Sequence, residues 1–488
     1  MKSEIKDTVT AWVNRNLPGM EHDLARICRI PSVAEIPEDH KPPFGKACAD
    51  GIRLMLQIGC AYGFETDNYD DSVGCIHYGN GKGKHVGIWS HLDVVAPGPA
   101  SAWKLTDPFT PFIRQGYFIA RGAQDNKSSA IMALYLLRFL KEHGIHPDFA
   151  IDCYFGSCEE QGMYDIDDYL AKGYPVPDVS LVPDSGFPAC CGERGSFDGI
   201  LTFREPLGPE VLSVKSGNEI YMTPDTAQIE ILLPEGENPL PDSLPQDTEA
   251  EVRTDPGTGR KILRLTCHGV SGHAADPAEG INALTLLAER IVEYRLVPER
   301  DLTKFRFIAA YNRDPHGRAL GIFAEDAISG PTVSTFTGAV LDGRKLCLSF
   351  FSKYPVTAGD LPIPENAKQA AEQTGCDLEI LRYGKPAYFP PDHPVMKIFA
   401  EEADEITGCG AEPFIMSGGT YAHKLPHAFA CGTGMPLPPP PEGLFLPGHG
   451  DYHEPDEAVP IERMRKALIV YILGFLRMQE EGMENLSG

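Results

Sequence analysis

The chain is short of positive charge. Its 43 Lys and Arg stand against 69 Asp and Glu, a formal net charge of -26 over 488 residues. That balance argues against nucleic acid and anionic membrane surfaces as partners, because both are bound chiefly by Lys and Arg set against phosphates. Long apolar runs are missing too. The longest, Ala467 to Leu476, falls well short of the ~20 residues that cross a bilayer, and reads as a buried C-terminal helix. CxxC spacing is absent among the 13 cysteines, which are scattered and odd in number. This fits free thiols in a reducing cytoplasm better than a disulfide framework. The opening "MKSEIKDTVTAWVNRNL" lacks a signal-peptide pattern and reads as an amphipathic first helix. No internal repeat is visible.

What is present reads as soluble, globular and divided. The composition is 42% hydrophobic and 23% charged, and the length exceeds what one ordinary core organises, so two domains are expected. "GCIHYGNGKGKHVGIWSHLD" reads as a strand, a Gly-rich turn at Asn80 to Gly83, and a second strand. "SSAIMALYLLRFLKEHG" (128–144) has helical periodicity and a glycine stop. "DFAIDCYFGS" and "YPVPDVSLVPDSG" supply further strands, and the alternation is that of an α/β sheet. From about Gly195 the texture changes to strands around two helical stretches, 280–294 and 365–375, with an Asp-Gly hairpin signal in "GAVLDGRKLCLSFFSKYP". This reads as an inserted α+β domain, 194–383, with 1–193 and 384–488 forming one discontinuous domain. "PLPPPPEG" (436–443) reads as a surface polyproline II connection.

Residues able to bind metal gather at the strand ends. His91 and Asp93 follow "VGIWS"; Asp125 sits in "RGAQDNKSS"; Glu159 and Glu160 follow the "DFAIDCYFGS" strand; Asp184 follows "VSLVP"; His453 lies in "HGDYHEPDE". Open α/β sheets place their sites at such ends. Several carboxylates with only two histidines suit a two-metal hydrolytic centre, because carboxylate bridges divalent ions and imidazole completes each shell. Two ions about 3.5–4 Å apart hold one hydroxide and polarise a carbonyl.

As a set, "SHLDVV", "W…DPF…ARGAQDNKS", "CEEQG", "PDSG" and "HGDYHEPDE" resemble the co-catalytic dinuclear zinc peptidases, the family of aminoacylase, carboxypeptidase G and bacterial dipeptidase V. The resemblance runs nearly the whole chain and lies closest to the dipeptidase V-like, Xaa-His dipeptidase and carnosinase-like group. It implies an α/β catalytic domain, a mixed sheet with helices on both faces, carrying an inserted α+β lid. It implies two divalent ions, Zn2+ foremost with Mn2+ or Co2+ as alternatives. Asp125 would bridge them, His91 and Asp184 completing one shell and Glu160 and His453 the other. Asp93 would orient the His91 ring as an acceptor behind it, and a cis peptide is expected at Asp125–Asn126. Glu159 would be general base and then acid. His273, in "CHGVSGHAADPAEGINAL", would donate to the oxyanion. The long insert points to a monomer; dimeric relatives form the alternative.

Substrate contacts depart from the family pattern. Lys353 in "FSKYP" stands where dipeptidase V-like enzymes place an arginine, and Tyr221 at or near the place of an asparagine. Lysine lacks arginine's bidentate grip on a carboxylate. In "SGGTYAHKLP", Gly418, Gly419 and Thr420 would offer backbone N–H groups, with His423 where an arginine is expected. Cys158, directly before the Glu pair, is either a packed thiol or an oxidation-sensitive one. The implied activity is a cytoplasmic metallo-dipeptidase acting on small peptides. An amidohydrolase acting on N-acyl or modified amino acids is the alternative, and a non-catalytic metal-dependent binding protein the third reading.

Overall fold

In Val73–Tyr78, His85–His91 and Ala150–Gly156, alternate residues point to opposite faces, and both faces are buried. Ile76, Ile88 and Cys153 enter one core; Cys75, Trp89 and Tyr154 enter another. The computed structural model that shows this describes residues 2–79, 83–217, 219–234 and 239–482. It divides into two compact units, Met1–Gly192 with Tyr388–Gly488, and Glu193–Ala387. The second unit starts one residue earlier and ends four later than the expected insert.

The first unit is built on a mixed sheet. Its strands include Glu65–Tyr69 (β1), Val73–Tyr78 (β2), His85–His91 (β3), Ala150–Gly156 (β4), Val179–Val182 (β5) and Ala428–Ala430 (β6), in the order β1-β2-β4-β3-β5-β6. The pairs β4–β3, β3–β5 and β5–β6 are parallel, while β1–β2 and β2–β4 are antiparallel. The two strands read around the Gly-rich turn are therefore not hydrogen-bonded to each other, since β4 lies between them. Asn80, Gly81 and Lys82 of that turn lie outside the described residues.

Helices Lys2–Cys28, Ser128–Glu142 and Ile461–Glu481 bury the Ile76 face, through residues such as Leu24, Leu134 and Tyr471. On the other face Trp89 stacks on Tyr154 with ring centroids 3.9 Å apart, against Ile166 and Tyr169 of helix Tyr164–Ala171. The apolar run Ala467–Leu476 lies inside the Ile461–Glu481 helix. Among the described residues no helix is long and apolar enough to cross a membrane. All 13 cysteines are free.

The second unit is an eight-stranded sheet whose paired strands run antiparallel, with helices Ala283–Glu293, Glu299–Arg313 and Ile363–Gln373 packed into its core. The middle helix was not anticipated. The hairpin is present, but Asp342 pairs with Lys345, so its two-residue loop is Gly343–Arg344, one residue beyond the Asp-Gly dipeptide. Both loop residues have positive φ, 49° and 69°, as a type I′ connection requires.

Candidate active site

The ends of β3, β4 and β5 carry the site. His91 closes β3, beside Gly156 at the end of β4, and Asp184 lies two residues past β5. Asp125 and Asn126 occupy an irregular turn ahead of helix Ser128–Glu142, and the peptide between them is cis. His453 sits in a loop at φ 62°.

The structure draws these side chains into two groups that share Asp125. His91, Asp125 and Asp184 form one; Asp125, Glu160 and His453 form the other. Within each group, the candidate ligand atoms all lie within 4.8 Å of one another. Each Asp125 oxygen faces a different imidazole: Oδ1 lies 3.0 Å from His91 Nε2, and Oδ2 lies 3.2 Å from His453 Nε2. Asp184 Oδ2 is 3.6 Å from His91 Nε2, and Glu160 Oε1 is 3.2 Å from His453 Nε2. Imidazole and carboxylate of this number and spacing are the donor set for borderline divalent ions such as zinc, so the residues of either group fit a divalent metal.

The electrostatics fit the same reading. Burial alone would raise the Asp125 carboxyl, but hydrogen bonds from His453 and His91 hold it below the usual range. His453 is pushed up to about 10 by its bonds to Asp125 and Glu160. Burial opposes the charged form of His91, yet Asp125 and Asp184 together carry it upward. Each imidazole thus holds a proton where a cation would stand. Glu159 differs. Burial drives its carboxyl well up, His91 opposes this, and Asp184, Glu160 and Asp125 add to the rise.

Asp93 meets His91 through its backbone as well as its side chain. The Nδ1–H of His91 is donated to the backbone carbonyl of Asp93 at 3.0 Å, while the Asp93 carboxylate stands off at 3.5 Å. That carboxylate instead accepts the backbone N–H groups of Glu159 and Glu160, both at 3.0 Å. The main-chain carbonyl takes the shorter bond to the imidazole, and the buried Asp93 carboxylate beside it fixes the acidic turn.

A cavity of about 650 Å3 opens over these groups, lined by residues that include Asp125, Glu159, Glu160, Asp184 and His453. Gly418, Gly419 and Thr420 line it as well; His423 is not among its lining residues. Residue 423 ends a short 3-10 turn, Tyr421–His423, whose Tyr421 is buried against Trp89 and His91, and this turns the strip away after Thr420.

The remaining three candidates belong to the second unit and gather around Phe351. The rings of Tyr221 and His273 lie 6.0 and 5.8 Å from it, and Lys353 Nζ is 5.8 Å from its centroid. His273 Nδ1 accepts the N–H of Ala275 at 3.1 Å, so the neutral ring carries its proton on Nε2. Lys353 is buried, and that burial, with Arg382 nearby, lowers its ammonium to about 8.

Several site residues had escaped notice. Glu457 accepts the N–H groups of Gly122, Gln124 and Asp125 and pairs with Arg121. Asn126 donates to Asp184 Oδ1 at 2.7 Å. Asp165 accepts the N–H groups of Ser157 and Cys158 and the Tyr421 hydroxyl. Arg463 brings a cation to the cavity wall. In "HEPDE" three acids follow the candidate ligand His453, which is the signal that could have found Glu457; Asp165 and Arg463 carry no local signal.

The model describing peptidase family M20/M25/M40 matches residues 87–473. A Bacillus subtilis (strain 168) protein named "Putative dipeptidase YtjP" is 30% identical over 473 residues, covering 94% of this chain and 97% of that protein. The Beta-Ala-Xaa dipeptidase of Lactobacillus delbrueckii subsp. lactis is 29% identical over 404 residues, 80% of this chain and 83% of its own. Among solved structures, aminoacylhistidine dipeptidase from Vibrio alginolyticus matches with a TM-score of 0.54 at 16% identity, covering 93% of this chain and 95% of that one. Human carnosine dipeptidase 1 gives 0.55 at 12%, covering 98% and 99%. These two likenesses show a common fold. With the family match spanning most of its length, the chain belongs to peptidase family M20/M25/M40, a family of metal-dependent peptidases.

Proposed function

We propose that the protein is a dipeptidase that works with two divalent metal ions, Zn2+ foremost, and acts as a single chain. The observation that carries the reading is the sharing of Asp125 between two ligand groups at a cavity that Glu159 also lines. The dipeptidase names of its relatives support the substrate class.

His91 and Asp184 would hold one ion and Glu160 and His453 the other, with Asp125 between. The ions, when bound, supply a polarised carbonyl and an acidified water. Glu159 takes the proton of the attacking water on its carboxylate and returns it to the departing amine nitrogen. Burial raises its proton affinity, which suits it to hold the proton between the two halves of that transfer. Asp93 holds Glu159 and Glu160 at a fixed turn so that the base and the ligand diverge. His273, with Nδ1 occupied by Ala275, presents Nε2–H as the donor an oxyanion takes. Arg463, on the cavity wall, offers a cation to a substrate carboxylate, and Lys353 is the candidate that the second unit carries.

The test is hydrolysis of a panel of free-amine dipeptides, β-Ala-Xaa and Xaa-His among them, beside N-acyl amino acids, with Zn2+, Mn2+ or Co2+. Dipeptide turnover falling about 10²–10⁴-fold in Glu159→Gln, with metal still bound, is expected from the loss of a general base. Turnover confined to acylated substrates would replace the substrate class and keep the site. Bound metal with no turnover on either would remove the enzymatic reading.

A further inference from the structure

At the opposite end of the same strands lies a second cluster that the peptidase site does not use. Cys75 and His77 come from β2, Asp152 from β4 and His85 from β3, three strands side by side. Strand parity puts all four on the Trp89 face, and register sets His77 opposite Asp152. His85 and His91 begin and end β3; six residues at ~3.3 Å put them about 20 Å apart, so the two clusters share no ligand.

The contacts converge on one carboxylate. Asp152 Oδ1 lies 2.8 Å from His77 Nδ1, and Oδ2 lies 2.7 Å from His85 Nδ1. Cys75 Sγ is 3.7 Å from His77 Nδ1, and the sulfur, a His77 nitrogen and an Asp152 oxygen all lie within 4.8 Å of one another. Behind His77, its Nε2 faces Asp67 Oδ2 at 3.1 Å. Cys75 and Asp152 are buried, while the two imidazoles reach a cavity of about 790 Å3 also lined by Asp67, Lys141 and His146.

We propose that this cluster is a separate metal-binding site, taking one Zn2+-class transition ion on Cys75 Sγ, His77 Nδ1 and Asp152 Oδ1, with the fourth position open to the cavity. Bond lengths of about 2.3 Å to sulfur and 2.1 Å to nitrogen and oxygen make the tetrahedral sulfur–nitrogen edge about 3.6 Å, which the present spacing already matches. The nitrogen–oxygen edge of such a site is about 3.4 Å, so the present hydrogen bond opens by about 0.6 Å as the ion replaces the proton. Binding exchanges two protons, that of the Cys75 thiol and that of His77 Nδ1, for the cation, and both pass to solvent. His77 keeps its Nε2–H on Asp67, the carboxylate behind a metal-bound imidazole that fixes ring and tautomer. His85 holds the other Asp152 oxygen and aims the first. Without a metal, both ring nitrogens of His77 face carboxylate oxygens, Nδ1 that of Asp152 and Nε2 that of Asp67.

The thiolate separates this site from the peptidase centre, whose candidate ligands include no sulfur. The full-length protein is loaded with Co2+ alone, and the near-ultraviolet sulfur-to-cobalt charge-transfer band is read together with the metal count. Wild type is expected to show the band and to hold one Co2+ more per chain than Cys75→Ala or His77→Gln, both of which lose it. Dipeptide turnover should stay within twofold in both variants, and His453→Ala should keep the band. Absence of the band in wild type, its persistence in Cys75→Ala, or equal cobalt counts across the three proteins would overturn the proposal. If Cys75→Ala fails to fold, His77→Gln, altered at a partly exposed ring, decides alone.

Discussion

Replacing Glu457 with glutamine tests how the Asp125 loop is held. The carboxylate is buried and meets only donors. Oε1 accepts from Gln124 N at 2.9 Å and Asp125 N at 3.1 Å; Oε2 accepts from Gly122 N at 2.9 Å and from Arg121 Nη1 at 2.7 Å. Burial pushes this carboxyl upward, against Arg121, yet a protonated oxygen would turn its hydrogen onto another donor, so the ionised form is the one that fits. An amide offers one acceptor oxygen. Whichever way it turns, its NH2 faces two donors and Arg121 loses its counter-charge. Two bonds to a charged acceptor at about 1.5–3 kcal/mol each give about 3–6 kcal/mol, and breaking a buried ion pair costs about 3–5 kcal/mol. The two figures describe the same contacts and do not add, so about 3–5 kcal/mol is the expected destabilisation. Urea unfolding of Glu457→Gln measures it, with kcat/KM and metal affinity read on the folded fraction. Because the Gln124 and Asp125 amides share Oε1, both should fall at least tenfold as well. A variant within about 1 kcal/mol of wild type, with metal affinity unchanged, would refute the reasoning and make Glu457 a bystander.

Three further outcomes are expected. Lys353 loses its proton as pH rises through about 8, so KM for dipeptides should climb above that pH; Lys353→Arg, charged throughout, should abolish the inflection. For stability the sign runs the other way: the folded lysine releases its proton more readily than the unfolded one, so its contribution improves as pH rises from about 8 toward 10.5. Gly156→Ala should collapse activity and stability together, because a Cβ there overlaps the Tyr421 hydroxyl and the Asp165 carboxylate. Iodoacetamide should leave activity intact, since Cys158 is fully buried and burial pushes its thiol upward; inactivation traced to Cys158 would show that the acidic turn opens in solution.

Much of this was legible because the informative residues are chemically unusual where they stand. A histidine or carboxylate just after an apolar strand has few ordinary reasons to be there, and three such residues, His91, Glu160 and Asp184, meet around Asp125. What stayed hidden depends on partners distant in sequence. Helix Glu299–Arg313 buries Leu302, Phe305 and Ile308, but its buried face also holds Asp301 and Lys304, paired at 3.1 Å, and that polarity masks the stripe. The separation of β2 from β3 could not be read locally either, because the strand between them arrives some sixty residues later. The resemblance places Asp93 behind His91; that its backbone carbonyl makes the shorter contact, 3.0 Å against 3.5 Å for the carboxylate, is invisible in a sequence.

The acid-rich motifs contain two kinds of carboxylate that composition cannot separate. Asp125, Glu160 and Asp184 face imidazoles across the cavity. Asp93, Asp165 and Glu457 face backbone N–H groups: Glu159 and Glu160 for Asp93, Ser157 and Cys158 for Asp165, Gly122, Gln124 and Asp125 for Glu457. Four consecutive amides, Ser157 to Glu160, thus hang on two buried carboxylates, which lets the two adjacent acids hold different directions. Mutation should part the kinds by opposite signs in the metal-free protein. Asp184→Asn or Glu160→Gln removes a charge whose ionisation burial and the Asp125 carboxylate disfavour, so it should leave metal-free stability unchanged or raise it while abolishing metal binding. Asp93→Asn strips an acceptor from one of two amides and should lower stability by about 1–3 kcal/mol with or without metal. Thermal unfolding in EDTA and in Zn2+ distinguishes them: the ligand variants lose only the metal-dependent part of the melting temperature, the anchoring variant loses the metal-independent part. Asp184→Asn melting below wild type in EDTA would show that Asp184 serves the fold as well as the metal.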